Sequence, residues 1–192
     1  MKKYLSVDCD YWYDADQAER QLILLMQKLR AGVPVIAVMN HQQMLPEVNA
    51  SGALQLINID EHSDLSEKTV GSFDCGTWVS YVKWRQQGTY IWVRPDKSYQ
   101  GSCNGDDRAT WNALTDWKYS DSRYIARKNL RITNYLQDCV GVGLCMSPAY
   151  ACSDVIRVFR HIVKHYDIPY RKGLRKENNH RRLRPSGIPL SI

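Results

Sequence analysis

Acidic and histidine side chains directly follow three short apolar runs of the chain. The first run ends in the sequence VDCDYW, the second in VMNHQ and the third in NIDEHSDL. In an extended chain, residues two apart point to the same side, so D-x-D directs two carboxylates together and D-x-H-x-D directs three ligands together. The candidate metal ligands are Asp8, Asp10, His41, Asp60, His62 and Asp64.

Four carboxylates in one cluster need a positive counter-charge. Two like charges about 4 Å apart repel each other by roughly 4 kcal/mol at an effective dielectric constant of about 20. Oxygen and nitrogen ligands without a thiolate suit hard or borderline divalent ions, and carboxylates can bridge two such ions about 3.5–4 Å apart. A lone D-x-D at the end of a strand is more often a turn or a helix cap, so the D-x-H-x-D run is the specific signal. The sequence predicts two Mn²⁺ ions, with Fe²⁺ or Co²⁺ as alternatives.

The elements around these motifs alternate between strand and helix. Apolar runs predict strands, and apolar residues at helical spacing predict helices. The predicted strands cover residues 4–7, 35–39, 54–60, 89–93, 129–133 and 140–146, and the predicted helices cover 17–30, 75–87 and 153–166. This order is typical of an α/β protein of three αβα layers with a mostly parallel sheet. The carboxyl ends of parallel strands line one crevice, where the six ligands would meet.

The length of 192 residues and the hydrophobic content of 44% fit one domain with a substantial core. We expect one domain over residues 1–169, which carries the six candidate ligands, and a basic C-terminal tail over 170–192. Residues 95–128 are rich in Gly, Asp, Ser and Trp and predict a long excursion from the sheet. An excursion of that length is more often functional than idle.

The formal net charge of +6 reflects, in large part, the basic residues of the tail. Such a run is more often solvated than bound, so we expect no nucleic-acid partner. A second hypothesis is that the tail attracts an acidic peptide by long-range electrostatics. The six cysteines show no C-x-x-C spacing and predict reduced thiols. No apolar segment reaches the length of a signal peptide or a membrane span, so we expect a cytoplasmic protein without a membrane partner. The sequence leaves the oligomeric state open.

Together these motifs resemble those of the arginase and ureohydrolase superfamily over roughly residues 4–150. NIDEHSDL resembles the D-x-H-x-D signature of that superfamily, MNH its upstream metal histidine and VDCDYW its second D-x-D motif. The segments FDCGTW and MSPAYAC are similar to a compact bacterial branch that includes peptide arginases, which convert arginine residues of ribosomally made peptides to ornithine. In the standard ureohydrolases D-x-D follows D-x-H-x-D. The resemblance therefore implies a circularly permuted motif order here.

The resemblance also implies a role for each ligand. Asp8 and Asp60 would bridge both ions; the remaining ligands would complete the two sites, His41 with Asp64 and His62 with Asp10. A hydroxide shared by the ions would attack a guanidinium carbon and release urea from an arginine side chain, free or within a peptide. No protein acid or base and no guanidinium-binding glutamate is assigned. The candidate substrate-binding residues are Trp12, Trp78, Ser147 and Tyr150.

Two other functions fit the same sequence. One is an amide hydrolase of the deacetylase type, which shares the superfamily fold and uses a single zinc ion held by fewer ligands. The other is a catalytically silent binding module, in which metals or the acidic cluster only hold the fold together. The surplus of ligands favours the dinuclear hydrolase over both.

Overall fold

A computed structural model describes residues 1–64, 73–83, 88–95, 123–127 and 130–171 of the chain. Seven strands and three α-helices lie in these ranges. The strands are β1 Lys3–Asp8, β2 Val35–Val38, β3 Gln55–Ile59, β4 Thr89–Pro95, β5 Arg123–Arg127, β6 Cys139–Cys145 and β7 Tyr170–Arg171. The helices are α1 Ala15–Lys28, α2 Leu45–Ser51 and α3 Ser153–His165.

All seven strands form one parallel sheet in the order β5-β4-β3-β1-β6-β2-β7. The central strand β1 has β3 on one side and β6 on the other. Strand β6 in turn separates β1 from β2. Because every strand runs in the same direction, the carboxyl ends of β1, β2, β3 and β6 meet at one edge of the sheet.

Helices α1 and α3 cover one face of the sheet. Helix α1 begins after Asp14, whose side chain accepts hydrogen bonds from the backbone N–H groups of Asp16 and Gln17, as a helix N-cap does. Leu22 on α1 and Phe159 on α3 belong to the core cluster on this face. The apolar sides of both helices are therefore buried against the strands.

Helix α2 and short 3-10 helices cover the opposite face, so the α/β architecture of three layers is confirmed. Their core cluster includes Met44 and Trp78. Met44 lies so close to β6 that a Cβ atom added to Gly143 would come within 2.5 Å of the Met44 sulfur. Glycine at this position lets the second layer approach the sheet next to the predicted ligands.

Two of the predicted elements are wrong. In the described part of the helix predicted over 75–87, only Trp78–Tyr81 is helical, as a 3-10 helix; the Asp74 side chain instead holds a turn by accepting from the Gly76 N–H. The strand predicted over 129–133 is replaced by the 3-10 helix Ile132–Tyr135. Its Ile132 N–H donates to Gln21 of α1 rather than to a neighbouring strand.

Two strands occupy segments for which no strand was predicted. Strand β5 lies inside the predicted excursion, and β7 lies in the first two residues of the predicted tail, where it pairs with β2. Both are edge strands, which can be short and need no apolar run. The rest of the excursion and residues 172–192 lie outside the described residues. None of the helices in the described part of the chain is long and apolar enough to cross a membrane.

Replacing Leu22 with alanine tests the packing of α1. Leu22 is fully buried, so Leu22→Ala is expected to lower the free energy of unfolding by about 2–5 kcal/mol. The matched control is Leu24→Ala on the same helix, where the side chain is only half-buried and the expected loss is below about 1 kcal/mol. Urea denaturation monitored by circular dichroism measures both. Equal losses in the two variants would contradict the described orientation of the helix.

Candidate metal centre

The six predicted ligands lie together at the carboxyl edge of the sheet. Asp8 ends β1, Asp60 directly follows β3, and His41 begins the 3-10 helix that follows β2. Five of the six are at most 5% exposed: Asp8, Asp10, His41, Asp60 and Asp64. The side chain of His62 is 29% exposed. The cluster is therefore buried on all sides except the one that His62 occupies.

His41 is the centre of the more deeply buried part of the cluster. Its Nδ1 atom lies 3.1 Å from Oδ2 of Asp8, 3.0 Å from Oδ2 of Asp60 and 2.8 Å from Oδ2 of Asp64. A single N–H cannot point at three acceptors with good geometry. We call these four residues the inner group. Their converging ligand atoms form the arrangement that a cation requires.

A serine of β1 determines which nitrogen of His41 can bind a cation. Ser6 Oγ lies 2.6 Å from Nε2 of His41 and donates to the sulfur of Met44 at 3.2 Å. Since a thioether only accepts and a hydroxyl has one proton, Ser6 must accept its other hydrogen bond from the Nε2–H of His41. Burial lowers the pKa of His41, but Asp64 and Asp8 outweigh it and raise that pKa above its usual range, which favours a second proton on Nδ1 while no ion is bound. With an ion bound, the neutral imidazole would present the lone pair of Nδ1 to it.

A second set of ligand atoms surrounds His62. Its Nδ1 atom lies 3.0 Å from Oδ2 of Asp10 and 3.7 Å from Oδ1 of Asp60. We call Asp10, Asp60 and His62 the outer group; its ligand atoms lie within 4.8 Å of one another. Asp60 thus directs one oxygen to each histidine and belongs to both groups. Asp8 belongs to the inner group through Oδ2, because its Oδ1 accepts from the backbone N–H of Asp10.

The ionisation of these groups reflects a shortage of positive charge in the cluster. Burial, reinforced by the charge of Asp60, raises the pKa of Asp64 to about 8. Burial also raises the pKa of Asp8 and of Asp10. Burial lowers the pKa of His62, but hydrogen bonds to Asp10 and Asp60 outweigh it and raise that pKa to about 12. Protonation of carboxyl and imidazole groups can therefore supply the positive charge that divalent ions would otherwise supply.

Asp60 has the opposite shift and is the carboxylate most firmly held in its ionised form. Burial raises its pKa, but hydrogen bonds to His41 and His62 outweigh burial and hold the pKa below the usual range. Its Oδ2 also accepts from Nδ2 of Asn58 at 3.0 Å, and its backbone carbonyl accepts from the indole N–H of Trp92. The one ligand common to both groups is thus oriented from several directions.

Ser6 and Asn58 are functional candidates that the motif search missed. Each stands two residues before an acidic ligand, and the two are register partners on neighbouring strands β1 and β3. Both side chains are fully buried. A polar residue inside an otherwise apolar strand was the available signal, since such a group needs a partner in the fold.

Three of the four candidate substrate-binding residues lie behind the ligands or in the core. The indole N–H of Trp78 donates to Oδ2 of Asp64, and the hydroxyl of Ser147 donates to Oδ2 of Asp8. Trp12 is 1% exposed and belongs to the core cluster under α1 and α3. Tyr150 is 46% exposed, and its ring lies 5.4 Å from that of His62. Of these four residues, Tyr150 alone borders the open side of the site.

Two residues of the site have left-handed backbone conformations. Asp64 has a φ of 57° and Ser147 a φ of 41°. Residues other than glycine rarely adopt these angles, which persist where surrounding contacts hold them. Here the contacts are those with Trp78 and Asp8. The backbone is thus bent so that both side chains reach the ligand cluster.

Comparisons of the chain with protein-family models, with curated proteins and with solved structures find no match. The function proposed below therefore depends on the geometry of the ligand cluster and on the resemblance of its motifs to those of ureohydrolases. The α/β fold with a parallel sheet is independent of that resemblance, because it follows from the described strands themselves.

Asp60→Asn tests whether the cluster holds metal ions. The amide keeps the size of the side chain but removes the charge of the shared carboxylate and one of its two oxygens, so bound manganese is expected to fall from about two ions per chain to near zero. The control is Asp154→Asn, which alters an exposed carboxylate of α3. Elemental analysis after incubation with Mn²⁺ and gel filtration counts the ions. Unchanged manganese content in Asp60→Asn would reject the cluster as the metal centre.

Ser6→Ala tests the role of the hydroxyl that orients His41. Loss of this hydrogen bond frees the imidazole ring, and metal affinity is expected to fall by about 10–100-fold. Ser51→Ala is the control, because the Ser51 hydroxyl donates to the Val48 carbonyl and accepts from the Ala53 N–H, both local to the end of α2. Isothermal titration calorimetry with Mn²⁺ measures both variants. Equal affinities in Ser6→Ala and wild type would show that the hydroxyl does not orient the ligand.

Proposed function

We propose that this chain is a dinuclear metallohydrolase that binds two divalent ions, most simply Mn²⁺, and hydrolyses a guanidinium group to urea and an amine. The substrate we propose is an arginine side chain within a peptide. The observation that supports this most directly is the position of Asp60, which turns one oxygen toward His41 and the other toward His62. A carboxylate placed in this way suits two ions held side by side.

A pair of divalent ions supplies the nucleophile for such a reaction, because coordination lowers the pKa of water to near neutrality. The chain contributes the side chains that hold and orient the ions. Asp60 sets the spacing of the two halves, and Ser6 keeps Nδ1 of His41 directed into the cluster. Trp78 and Ser147 orient Asp64 and Asp8 from behind. Side chains supported in this way keep the geometry that catalysis requires.

The substrate would approach from the side of His62. This histidine is the only one of the six ligands with substantial exposure, and Tyr150 lies beside it at the surface. The face of a tyrosine ring attracts a planar cation such as guanidinium. An open side of this kind also suits a side chain that extends from a longer peptide.

The charge of the centre favours a cationic substrate. With both histidines neutral, the four aspartates balance two divalent ions. Glu61, which is 1% exposed, adds a further acidic group beside His62, and the Tyr13 hydroxyl donates to it. A centre with this composition has no excess positive charge to attract phosphate or carboxylate substrates. A guanidinium group is positively charged, so the acidic groups of the centre attract it.

The outer group argues against the single-zinc alternative. A catalytic zinc site uses three protein ligands and one open position. The inner group already provides four candidate ligands, so a single ion would leave Asp10 and His62 without a metal-binding role. The binding-module alternative makes a different prediction, namely that the cluster stabilises the fold and no substrate is turned over.

Urea release from an arginine-containing peptide tests the proposal. Manganese-loaded wild-type protein is expected to release urea, and Asp60→Asn is expected to be at least about 1,000-fold slower, since metal catalysis contributes several kcal/mol and each 1.36 kcal/mol is tenfold in rate. Asp154→Asn should retain the wild-type rate. Free arginine, assayed in parallel, shows whether a peptide is required. Circular dichroism verifies that each variant is folded.

Two results would replace the proposal. Hydrolysis of an acetyl-lysine peptide by protein carrying one zinc ion, without urea release from arginine, would establish the deacetylase type. Absence of turnover on both substrates by folded, metal-loaded protein would leave the binding module. The metal count from Asp60→Asn separates a silent metal centre from a cluster that binds no ion.

A further inference from the structure

A buried cysteine lies directly beside the inner group. Cys145 is the last residue of β6, the strand between β1 and β2, and its register partners are Asp8 on β1 and Val38 on β2. Its side chain is 0% exposed and belongs to the core cluster of Met44 and Trp78. The strand order thus places a thiol between the segments that carry Asp8 and His41.

The contacts of Cys145 lead to the ligand cluster. Its sulfur lies 3.2 Å from Oγ of Ser147, which donates its only proton to Asp8. Ser147 can therefore only accept from the thiol, and the Met39 carbonyl, 3.7 Å from the sulfur, is a second acceptor for the single thiol proton. One ligand atom each of Asp8, His41 and Cys145 lies within 4.8 Å of the others. In a tetrahedral site with metal–sulfur bonds of about 2.3 Å and metal–nitrogen or metal–oxygen bonds of about 2.0–2.2 Å, neighbouring ligand atoms are roughly 3.5 Å apart. The limit of 4.8 Å for this group includes that separation.

We propose that Cys145 is a thiolate ligand of the ion held by the inner group, and that this half of the centre binds a borderline ion such as Zn²⁺ or Co²⁺ more tightly than Mn²⁺, although manganese supplied alone fills both halves. The outer group, with only oxygen and nitrogen ligands, takes the harder Mn²⁺. The inference rests on the proposed metal centre and makes the two halves chemically different. Thiolates favour zinc and cobalt over manganese, whereas carboxylates suit manganese.

Binding of the ion would involve one proton transfer. The S–H bond of Cys145 breaks, the sulfur keeps the electron pair and donates it to the ion, and the proton leaves to solvent. No oxidant or reductant is needed. A divalent ion in contact with a thiol deprotonates it outright, even where burial opposes a free thiolate.

Two other buried cysteines that the structure describes do not share this position. Cys139 lies at the opposite end of β6, and its thiol donates to the Gly141 carbonyl. Cys9 belongs to the core cluster on the other face of the sheet. Among the described cysteines, Cys145 alone is part of a candidate ligand group. Cys139 is therefore a matched control, because it is buried in the same strand.

Cobalt substitution tests the inference on the whole chain. Titration of wild-type protein with Co²⁺ is expected to produce a near-ultraviolet thiolate-to-cobalt charge-transfer band that saturates at one equivalent. Cys145→Ser is expected to lose the band and to bind Zn²⁺ at least about 10-fold more weakly, with Mn²⁺ affinity changed far less. Cys139→Ser should keep the band. A band that persists in Cys145→Ser would overturn the assignment.

X-ray absorption on wild-type protein tests the inference without a variant, in case Cys145→Ser does not fold. The expected result is a sulfur neighbour at about 2.3 Å from Zn²⁺ or Co²⁺. Binding of the ion with only nitrogen and oxygen neighbours would overturn the role of Cys145 and leave the dinuclear hydrolase intact. If Zn²⁺, Co²⁺ and Mn²⁺ all fail to bind, both this inference and the proposed function fail.

Discussion

Coulomb repulsion among four buried aspartates is the constraint on which the site depends. Asp8, Asp10, Asp60 and Asp64 lie at the carboxyl edge of one parallel sheet, where water cannot screen their charges. The two histidines relieve part of the repulsion, and protonation of carboxyl groups relieves more. Divalent ions would relieve it without adding protons. The architecture thus brings together groups that are stable side by side only when positive charge is placed between them.

Neutral side chains maintain the geometry of this charged cluster. Ser6, Asn58, Trp78 and Ser147 each form a hydrogen bond with one ligand, and all four are buried. These contacts cost little desolvation compared with a further charge, and they restrict the rotamers of the ligands. The support is concentrated on the inner group. His62, in contrast, is partly exposed, so the same cluster combines a buried half with a half that is partly open to solvent.

The strand order makes the two halves chemically different. Strand β6 lies between β1 and β2, so Ser147 and Cys145 meet Asp8 and His41 in space although more than 100 residues separate them in the chain. The described neighbours of His62 are carboxylates and the ring of Tyr150. A sulfur ligand on one side and oxygen ligands on the other would let one centre hold two different ions.

The sequence by itself determined the α/β class, the parallel sheet, most of its strands and the six ligands that meet at its edge. It did so because buried strands carry apolar runs and because ligands two residues apart share one side of a strand. It failed for β5, β7 and the described parts of segments 75–87 and 129–133, where short edge strands and 3-10 turns have no periodic pattern. Only the tertiary structure decided that Asp60 is shared between two groups, that Trp78 and Ser147 donate to Asp64 and Asp8, and that Cys145 lies beside Ser147. Those relations depend on strand order and on contacts between distant segments, which no local spacing encodes.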